Sequence, residues 1–309
     1  MNPLISIVSP VYGAEKIIDE LIKRITEETT KITDNFEIIL VEDGSPDNCW
    51  QKIKENCLKD KRVKGVKLSR NFGQHFAITA GIDIAEGDYV VVMDCDLQDN
   101  PKYIHEMYAK AKEGYDIIYT SKESRKHSFF KNFTAILFNS VFNYLTENKA
   151  IKSDKNVGAY SMISRKVVMA FKTYNDYNRH YLMVLRWLGF NSCFISIEHN
   201  QRLEGKSSYN FSKLIAHALD GITSQSDKLL KIFIKLGIVI SFISFISILI
   251  IIFMYFSHGF MSGWASIIIT ILFSTGILLT GIGVLGIYLG KTFEQTKNRP
   301  KYLIDEKIN

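Results

Sequence analysis

From Leu236 to Gly290 the chain runs for 55 residues without a single Asp, Glu, Lys or Arg. A bilayer crossing needs about 20 apolar residues in a helix. Leu236–Ser257 alone offers 22, about 33 Å as a helix. Residues 259–290 then leave room for a short turn near Gly259–Gly263 and a second crossing. That turn carries no Lys or Arg and both flanks do, so the positive-inside rule predicts a cytosolic N-terminal region, a cytosolic tail and a short outside loop. A very apolar helical hairpin buried in a soluble protein is the competing reading, and the length of the run disfavours it. Just upstream, Phe211–Lys235 is amphipathic and carries Lys213, Lys228, Lys231 and Lys235, the pattern of helices lying in the membrane interface. Gly283, Gly286 and Gly290 in the second span would let helices approach closely and form a homo-oligomer; small residues are also simply common in membrane helices.

Residues 1 to about 200 read differently. Short apolar runs at Ile5–Ser9, Glu37–Glu42, Val63–Leu68, Tyr89–Asp94, Asp116–Thr120, Ala159–Ile163 and Phe194–Glu198 predict strands. Amphipathic stretches at Glu15–Lys31, Asn48–Lys59, Gln74–Ala85 and Pro101–Glu113 predict helices between them. Strands alternating with helices imply crossover units and an α/β fold with a mainly parallel sheet. The net charge of +6 is too small to argue for nucleic acid and suits an anionic membrane face. Four scattered cysteines without a Cys-x-x-Cys pair are neither a disulfide framework nor a zinc pattern. The domain plan is thus 1–210 for the α/β domain, 211–235 for juxtamembrane helices, 236–290 for two transmembrane helices and 291–309 for a cytosolic tail.

On parallel sheets, ligands bind outside the carboxyl ends of the strands, and polar residues gather there. Asp94-Cys95-Asp96 follows the apolar run Val90–Met93. Two carboxylates so placed would repel unless a hard divalent ion with oxygen ligands lies between them; Gln98 could add a carbonyl oxygen. A solvated acidic loop is the other reading. Asp43-Gly44-Ser45-Pro46-Asp47 is either a turn with a helix cap or a carboxylate placed for a base or ribose. Residues 121–155 hold seven Lys/Arg against three acids, and Arg202–Tyr209 forms a second basic, Gly-containing loop. These cations could hold a lipid phosphate or a leaving diphosphate, or form a general anionic-lipid patch.

Taken in order, the motifs resemble membrane-anchored family 2 glycosyltransferases that make polyprenyl-phosphate sugars. They are similar to dolichyl-phosphate mannose synthase and to bacterial undecaprenyl-phosphate glucosyl or aminoarabinose transferases. The resemblance rests on Pro10-Val11-Tyr12 with Glu15, Val41-Glu42-Asp43-Gly44-Ser45, Ser69-Arg70-Asn71-Phe72-Gly73 and Asp94-Cys95-Asp96-Leu97-Gln98-Asp99. It continues through Arg125 with Ser128-Phe129-Phe130-Lys131, Arg202 with Gly205-Lys206-Ser207, the two spans and the tail motif Lys297-Asn298-Arg299-Pro300.

The resemblance implies a GT-A (Rossmann-like) cytosolic domain. It places Pro10, Tyr12, Glu15, Asp43 and Asp94 at the nucleotide, and Asp94, Asp96 and Gln98 at Mg²⁺ or Mn²⁺. Lys122, Arg125, Ser128 and Lys131 would meet the acceptor phosphate, and Arg202, Lys206 and Ser207 the diphosphate under a loop; Asp94, Asp96, Arg125 and Arg202 are the catalytic set. It further implies a nucleotide-diphosphate sugar donor, a polyprenyl phosphate acceptor, inverting transfer for cell-envelope glycan modification, and a multi-pass location in the inner membrane with the catalytic domain cytosolic. The chain departs from the family in three places. Gly13-Ala14 replaces the usual Asn-Glu or Asn-Ala, Lys122 stands for an Arg, and Gly158-Ala159-Tyr160-Ser161 lacks the usual Asp and Arg. A phosphate acceptor is already an anion and needs no general base, so Ala159 is compatible with a phosphate acceptor and less so with a sugar hydroxyl. The competing expectations are a hydroxyl-acceptor glycolipid synthase, a processive polysaccharide synthase and a non-catalytic nucleotide-sugar scaffold. Met183-Val-Leu-Arg186-Trp187 lacks the Gln of the polysaccharide synthase motif.

Overall fold

A computed structural model of the chain describes residues 4–122, 157–177, 179–198, 228–258 and 263–309. The chain divides into two compact units, one built on a β-sheet and including residues 299–309, the other containing the two long C-terminal helices.

In the first unit the elements run β1 (Ile5–Val11), α1 (Ile18–Thr29), β2 (Phe36–Glu42), α2 (Cys49–Lys59), β3 (Val63–Leu68), α3 (Gln74–Ile84), β4 (Tyr89–Val92), a 3₁₀ turn (Pro101–Tyr103) leading into α4 (Ile104–Lys112), then β5 (Ile117–Lys122). After the undescribed stretch 123–156 come β6 (Val157–Ser164), α5 (Arg165–Thr173), α6 (Tyr181–Leu188) and β7 (Ser192–Ile197). The eight strands lie in the order β7-β5-β6-β4-β1-β2-β3-β8, where β8 is Ile304–Ile308. Strands β1 to β4 pair in parallel, as alternating strands and helices predict. Two strands run against them: β6 between β4 and β5, and β8 on the edge of β3. The tail 291–309 was expected only as a cytosolic extension, and its last residues are sheet.

Strands β1 and β2 are buried along their whole length, which explains why Ile38-Ile39-Leu40-Val41 reads as an unbroken apolar run. One face is covered by α1, α2 and α4 through residues such as Leu21, Ile25, Ile53 and Met107. The other is covered by α3, α5 and α6 through Ala77, Ile78, Val168, Phe171 and Val184. The helix expected over Glu15–Lys31 begins only at Ile18, because Ala14 and Glu15 are drawn into side-chain bonds with the next loop.

The second unit's described residues are two helices, α7 (Lys228–His258) and α8 (Trp264–Thr296). The expected boundary at residue 235/236 is no break: α7 passes through it. Residues 211–227, in the expected interfacial helices, and most of the expected turn lie outside the described residues. Among the described residues, one stretch, Phe273–Thr296, is long and apolar enough to cross a membrane. Gly281, which the sequence reading did not single out, is the α8 glycine that faces α7: a Cβ there would lie 3.7 Å from Phe233 Cδ1.

Close packing of α3 on β1 depends on Gly81. A Cβ at this position would run into Val8 Cγ1 and come within 3.2 Å of Val41 Cγ2. Gly81→Val overpacks this contact and should cost about 1–3 kcal/mol, read as a lowered thermal midpoint of the detergent-solubilised chain; an unchanged midpoint would show that α3 can shift freely.

Candidate active site

Four loops leave the carboxyl ends of the parallel strands: 12–17 after β1, 43–48 after β2, 69–73 after β3 and 93–100 after β4. The first two are laced together. The amides of Gly13, Ala14 and Glu15 donate to Ser45 Oγ (2.8 Å), Cys49 Sγ (3.2 Å) and Asp47 Oδ2 (3.1 Å). In return the backbone and side-chain amides of Asn48 donate to Glu15 Oε2 and Oε1 at 3.3 and 3.4 Å. Ser45 Oγ donates to Asp47 Oδ1 at 2.6 Å, and that same oxygen accepts from the Cys49 amide at the start of α2. Glu15 therefore joins two loops. Burial pushes the Cys49 thiol up to about 11, so it stays a neutral packing group here.

Asp43 binds the third loop. Its Oδ1 accepts from the Phe72 amide at 2.7 Å and its Oδ2 from the Gly73 amide at 2.9 Å, while its own amide donates to Val11 O. The side chain is almost fully buried. Burial raises its pKa from the usual carboxylate value, and the two amides and Arg70 oppose that rise without cancelling it. Gly44 has φ +62°, and a Cβ there would collide with the backbone of Arg70 and Asn71. Only glycine lets loops 43–48 and 69–73 meet this closely. Its neighbour Glu42 accepts from the Ser45 amide with Oε1, while Oε2 is buried without a hydrogen-bond partner. Burial raises the Glu42 pKa as well.

The fourth loop carries the two aspartates. Leu97 adopts φ +59° and is buried, which pins the turn from below and leaves Asp94 and Asp96 half-exposed. Asp94 Oδ1 accepts from Gln74 Nε2 at 2.7 Å, and Asp96 Oδ1 from the Gln98 amide at 3.1 Å. Asp99, buried, accepts from the Asp94 amide. Under the loop, Tyr160 of β6 donates to Asn100 O at 2.9 Å. Between the aspartates, burial pushes the Cys95 thiol up to about 12. Among the described residues no group of three or more His, Cys, Asp or Glu is placed to hold a metal ion. Two hard carboxylates on one turn still suit a cation such as Mg²⁺, which is commonly held by one or two carboxylates with waters and substrate phosphates completing the shell.

The structure thus brings Tyr12, Glu15, Asp43, Asp94, Asp96 and Gln98 to one sheet edge. Tyr12 is 54% exposed. Pro10 is buried within β1 beside Val41, so it shapes the strand end. Lys122 ends β5 beside Ile197 of β7. Arg125, Ser128, Lys131, Arg202, Lys206 and Ser207 lie outside the described residues. Ser161, where the resemblance implies an Arg, is buried, with its hydroxyl at Ala159 O and Tyr181 Oη. Sequence reasoning missed Gln74, the Asp94 partner, whose signal was its place directly after Arg70-Asn71-Phe72-Gly73. It also missed the pair His75–His180, whose rings lie 4.0 Å apart beside that residue; nothing in the pattern joined positions so distant.

The family model for glycosyl transferase family 2 matches residues 6–171. The chain is 38% identical over 304 residues to an uncharacterized glycosyltransferase of Synechocystis sp., covering 98% of this chain and 95% of that one. It is 33% identical over 303 residues to the bactoprenol glucosyl transferase of Shigella phage SfII, covering 97% of each. Among solved structures, a Pyrobaculum calidifontis mannosyltransferase in complex with GDP-Man and Mn²⁺ matches with TM-score 0.50 at 15% identity, over 72% of this chain and 64% of that one. Glucosyl-3-phosphoglycerate synthase from Mycobacterium tuberculosis, with Mn²⁺ and UDP-glucose, matches with TM-score 0.50 at 15% identity, over 72% and 77%. At that identity the structural likeness speaks to the GT-A fold.

The raised Glu42 carboxyl yields a pH dependence. Below its ordinary value of 4.5 the group is protonated folded or unfolded, and it costs nothing. As pH climbs through the raised folded value, the ionised form is penalised by burial and stability is lost. Glu42→Gln is therefore expected to raise the thermal midpoint at pH 7.5 and to have a much smaller effect near pH 4; an equal shift at both would mean the carboxyl carries no burial penalty.

Proposed function

The chain belongs to glycosyl transferase family 2, and from that premise we propose that it transfers a sugar from a nucleotide-diphosphate sugar to a polyprenyl phosphate at a membrane surface. The observation that carries the reading is the convergence of the Asp94–Asp96 turn with loops 12–17, 43–48 and 69–73, in a chain aligned over 97% of its length with bactoprenol glucosyl transferases. The names of those relatives point to a lipid acceptor, and α8 supplies an apolar helix to meet it.

The chemistry suits the residues. An oxygen of the lipid phosphate attacks the anomeric carbon of the donor sugar. The bond from that carbon to the diphosphate oxygen breaks, and the nucleoside diphosphate leaves with the electron pair. Displacement from the opposite face inverts the anomeric centre. A phosphate anion needs no proton removed, which suits a β6 that presents Ala159 where family members carry Asp. What this chain must do is align the reactants and hold the charge of the leaving diphosphate. Asp94 and Asp96 would hold Mg²⁺ or Mn²⁺, which when bound neutralises the diphosphate. Gln74 orients Asp94, the Gln98 amide orients Asp96, and loops 12–15 and 43–45 flank the nucleotide. Lys122, Arg125, Ser128 and Lys131 for the acceptor phosphate, and Arg202, Lys206 and Ser207 for the diphosphate, remain part of the proposal.

Topology supports two membrane crossings. The chain leaves the sheet unit before α7 and returns to it as β8. A segment that starts and ends on one side of a membrane crosses it an even number of times. With α8 as one span we take α7 as the other, on the charge-free run that begins at Leu236, and the positive flanks put the sheet unit in the cytosol.

The test is transfer by the detergent-purified chain to a short polyprenyl phosphate from a panel of UDP-, GDP- and dTDP-sugars, with Mg²⁺ or Mn²⁺ and with EDTA. The expected product is a mild-acid-labile glycolipid from one donor, abolished by EDTA. Product on a lipid hydroxyl only would replace the acceptor assignment, and nucleotide binding without product on either acceptor would favour a scaffold. Asp94→Asn and Asp96→Asn should each lower turnover about 10²-fold or more; full turnover in both would remove the metal from the proposal.

A further inference from the structure

We propose that the C-terminal segment Lys301–Ile308 is a positioning strap for the site loop Ser69–Gly73, beyond serving as an edge strand. β8 pairs antiparallel with β3, Gly65 beside Ile308 and Lys67 beside Glu306, with an irregularity between Lys67 and Leu68. The pairing continues past the strand end: the Ser69 amide donates to Leu303 O at 2.9 Å. Ser69 opens the loop whose far end, Phe72 and Gly73, is held by Asp43. The loop is thus fastened at its start by the tail and at its end by a buried carboxylate, with its middle lying on Gly44.

The strand at the end of the strap, Ile-Asp-Glu-Lys-Ile, is apolar only at its two ends, and Ile308 and, ahead of the strand, Tyr302 pack against the two core layers. The strap is also secured by polar contacts spread over several elements. Tyr302 Oη donates to Asp83 Oδ2 at the end of α3 (2.8 Å), and Lys301 Nζ to Tyr174 O beyond α5 (2.9 Å). Asp305 pairs with Lys67 of β3 (2.9 Å), and Glu306 takes both Lys54 (2.7 Å) and the indole N–H of Trp50 (2.9 Å) from α2. A strand that only shielded the β3 edge from pairing with other chains would need neither the Tyr302 and Lys301 anchors, which precede it, nor the Ser69 bond, which lies beyond β3. The Ser69–Leu303 bond lies at the base of the site loop, and the Lys301 and Tyr302 anchors hold the tail directly before it.

The test compares the full chain with a chain ending at Pro300 and with the double variant Y302F/E306A, which keeps the strand and removes three side-chain anchors, Tyr302 to Asp83 and Glu306 to both Lys54 and Trp50. Amide hydrogen exchange is read at Phe72 and Gly73 against β1 and β4, together with equilibrium binding of UDP and of GDP in the presence of Mn²⁺. Exchange at Phe72 and Gly73 should accelerate about 10-fold in the truncated chain and about 3-fold in the double variant, with β1 and β4 unchanged, because local opening is read separately from global unfolding. The dissociation constant of the bound nucleotide should rise by a similar factor, and the peptide Lys301–Asn309 added in trans should restore both. Unchanged exchange at Phe72 and Gly73 with the β3 edge opened, or equal acceleration in every strand, would overturn the strap. If the truncated chain does not fold, the double variant decides by the same criteria. The binding arm rests on the donor-site reading above: a wild-type chain that binds neither nucleotide would defeat that reading, and the exchange arm would still judge the strap.

Discussion

Asp43 accepts the amides of Phe72 and Gly73 from a buried position at the end of β2. A carboxylate removed from water in this way is costly unless its oxygens are met by donors, and here two backbone N–H groups meet it. The arrangement makes the β2 loop and the β3 loop one object. Gly44 permits the approach that the bond requires, and the bonds from Gly13, Ala14 and Glu15 to Ser45, Cys49 and Asp47 add the β1 loop. Gln74, one residue beyond Gly73, then reaches Asp94 in the β4 loop. A single carboxylate thus lies at the head of a chain of contacts that crosses four parallel strands and ends at the proposed metal turn.

Pre-positioning of this kind suits a transfer in which the protein mainly holds reactants in line and offsets the charge of a leaving group. The loops that would flank a nucleotide are tied to one another through backbone amides and short side chains, which lose little rotamer freedom when fixed. Tyr12, at 54% exposure, is a large aromatic side chain left at the rim of these loops. Of the cations expected to meet the two phosphates, Lys122 is among the described residues, at the end of β5.

Much of this was legible in the sequence because burial imposes patterns. Strands covered on both faces are mostly apolar, and β1, β2 and β4 were readable for that reason. The Asp94-Cys95-Asp96 turn was readable as the loop that follows the apolar run Val90–Met93, at the strand end where a parallel sheet gathers its polar residues. Strand direction leaves no such mark: β6 has the same apolar character whether it runs with β4 or against it. β8 was hidden for another reason. Its Asp305 and Glu306 find their partners in Lys67, Lys54 and Trp50, more than 230 residues away in sequence, and no local period reports such pairing. Asp43 was legible as a turn residue or as a ligand contact. It holds the neighbouring loop, and any contact with a nucleotide would be made from that anchored position.

The most direct measurement is an experimental structure of the full chain with UDP or GDP and Mn²⁺. The expected result is a nucleotide lying over loops 12–15, 43–45 and 69–73, a metal at Asp94 and Asp96, and the bonds from Asp43 to Phe72 and Gly73 retained. A nucleotide bound elsewhere, or a metal held without Asp94 and Asp96, would contradict the assignment of this sheet edge as the active site.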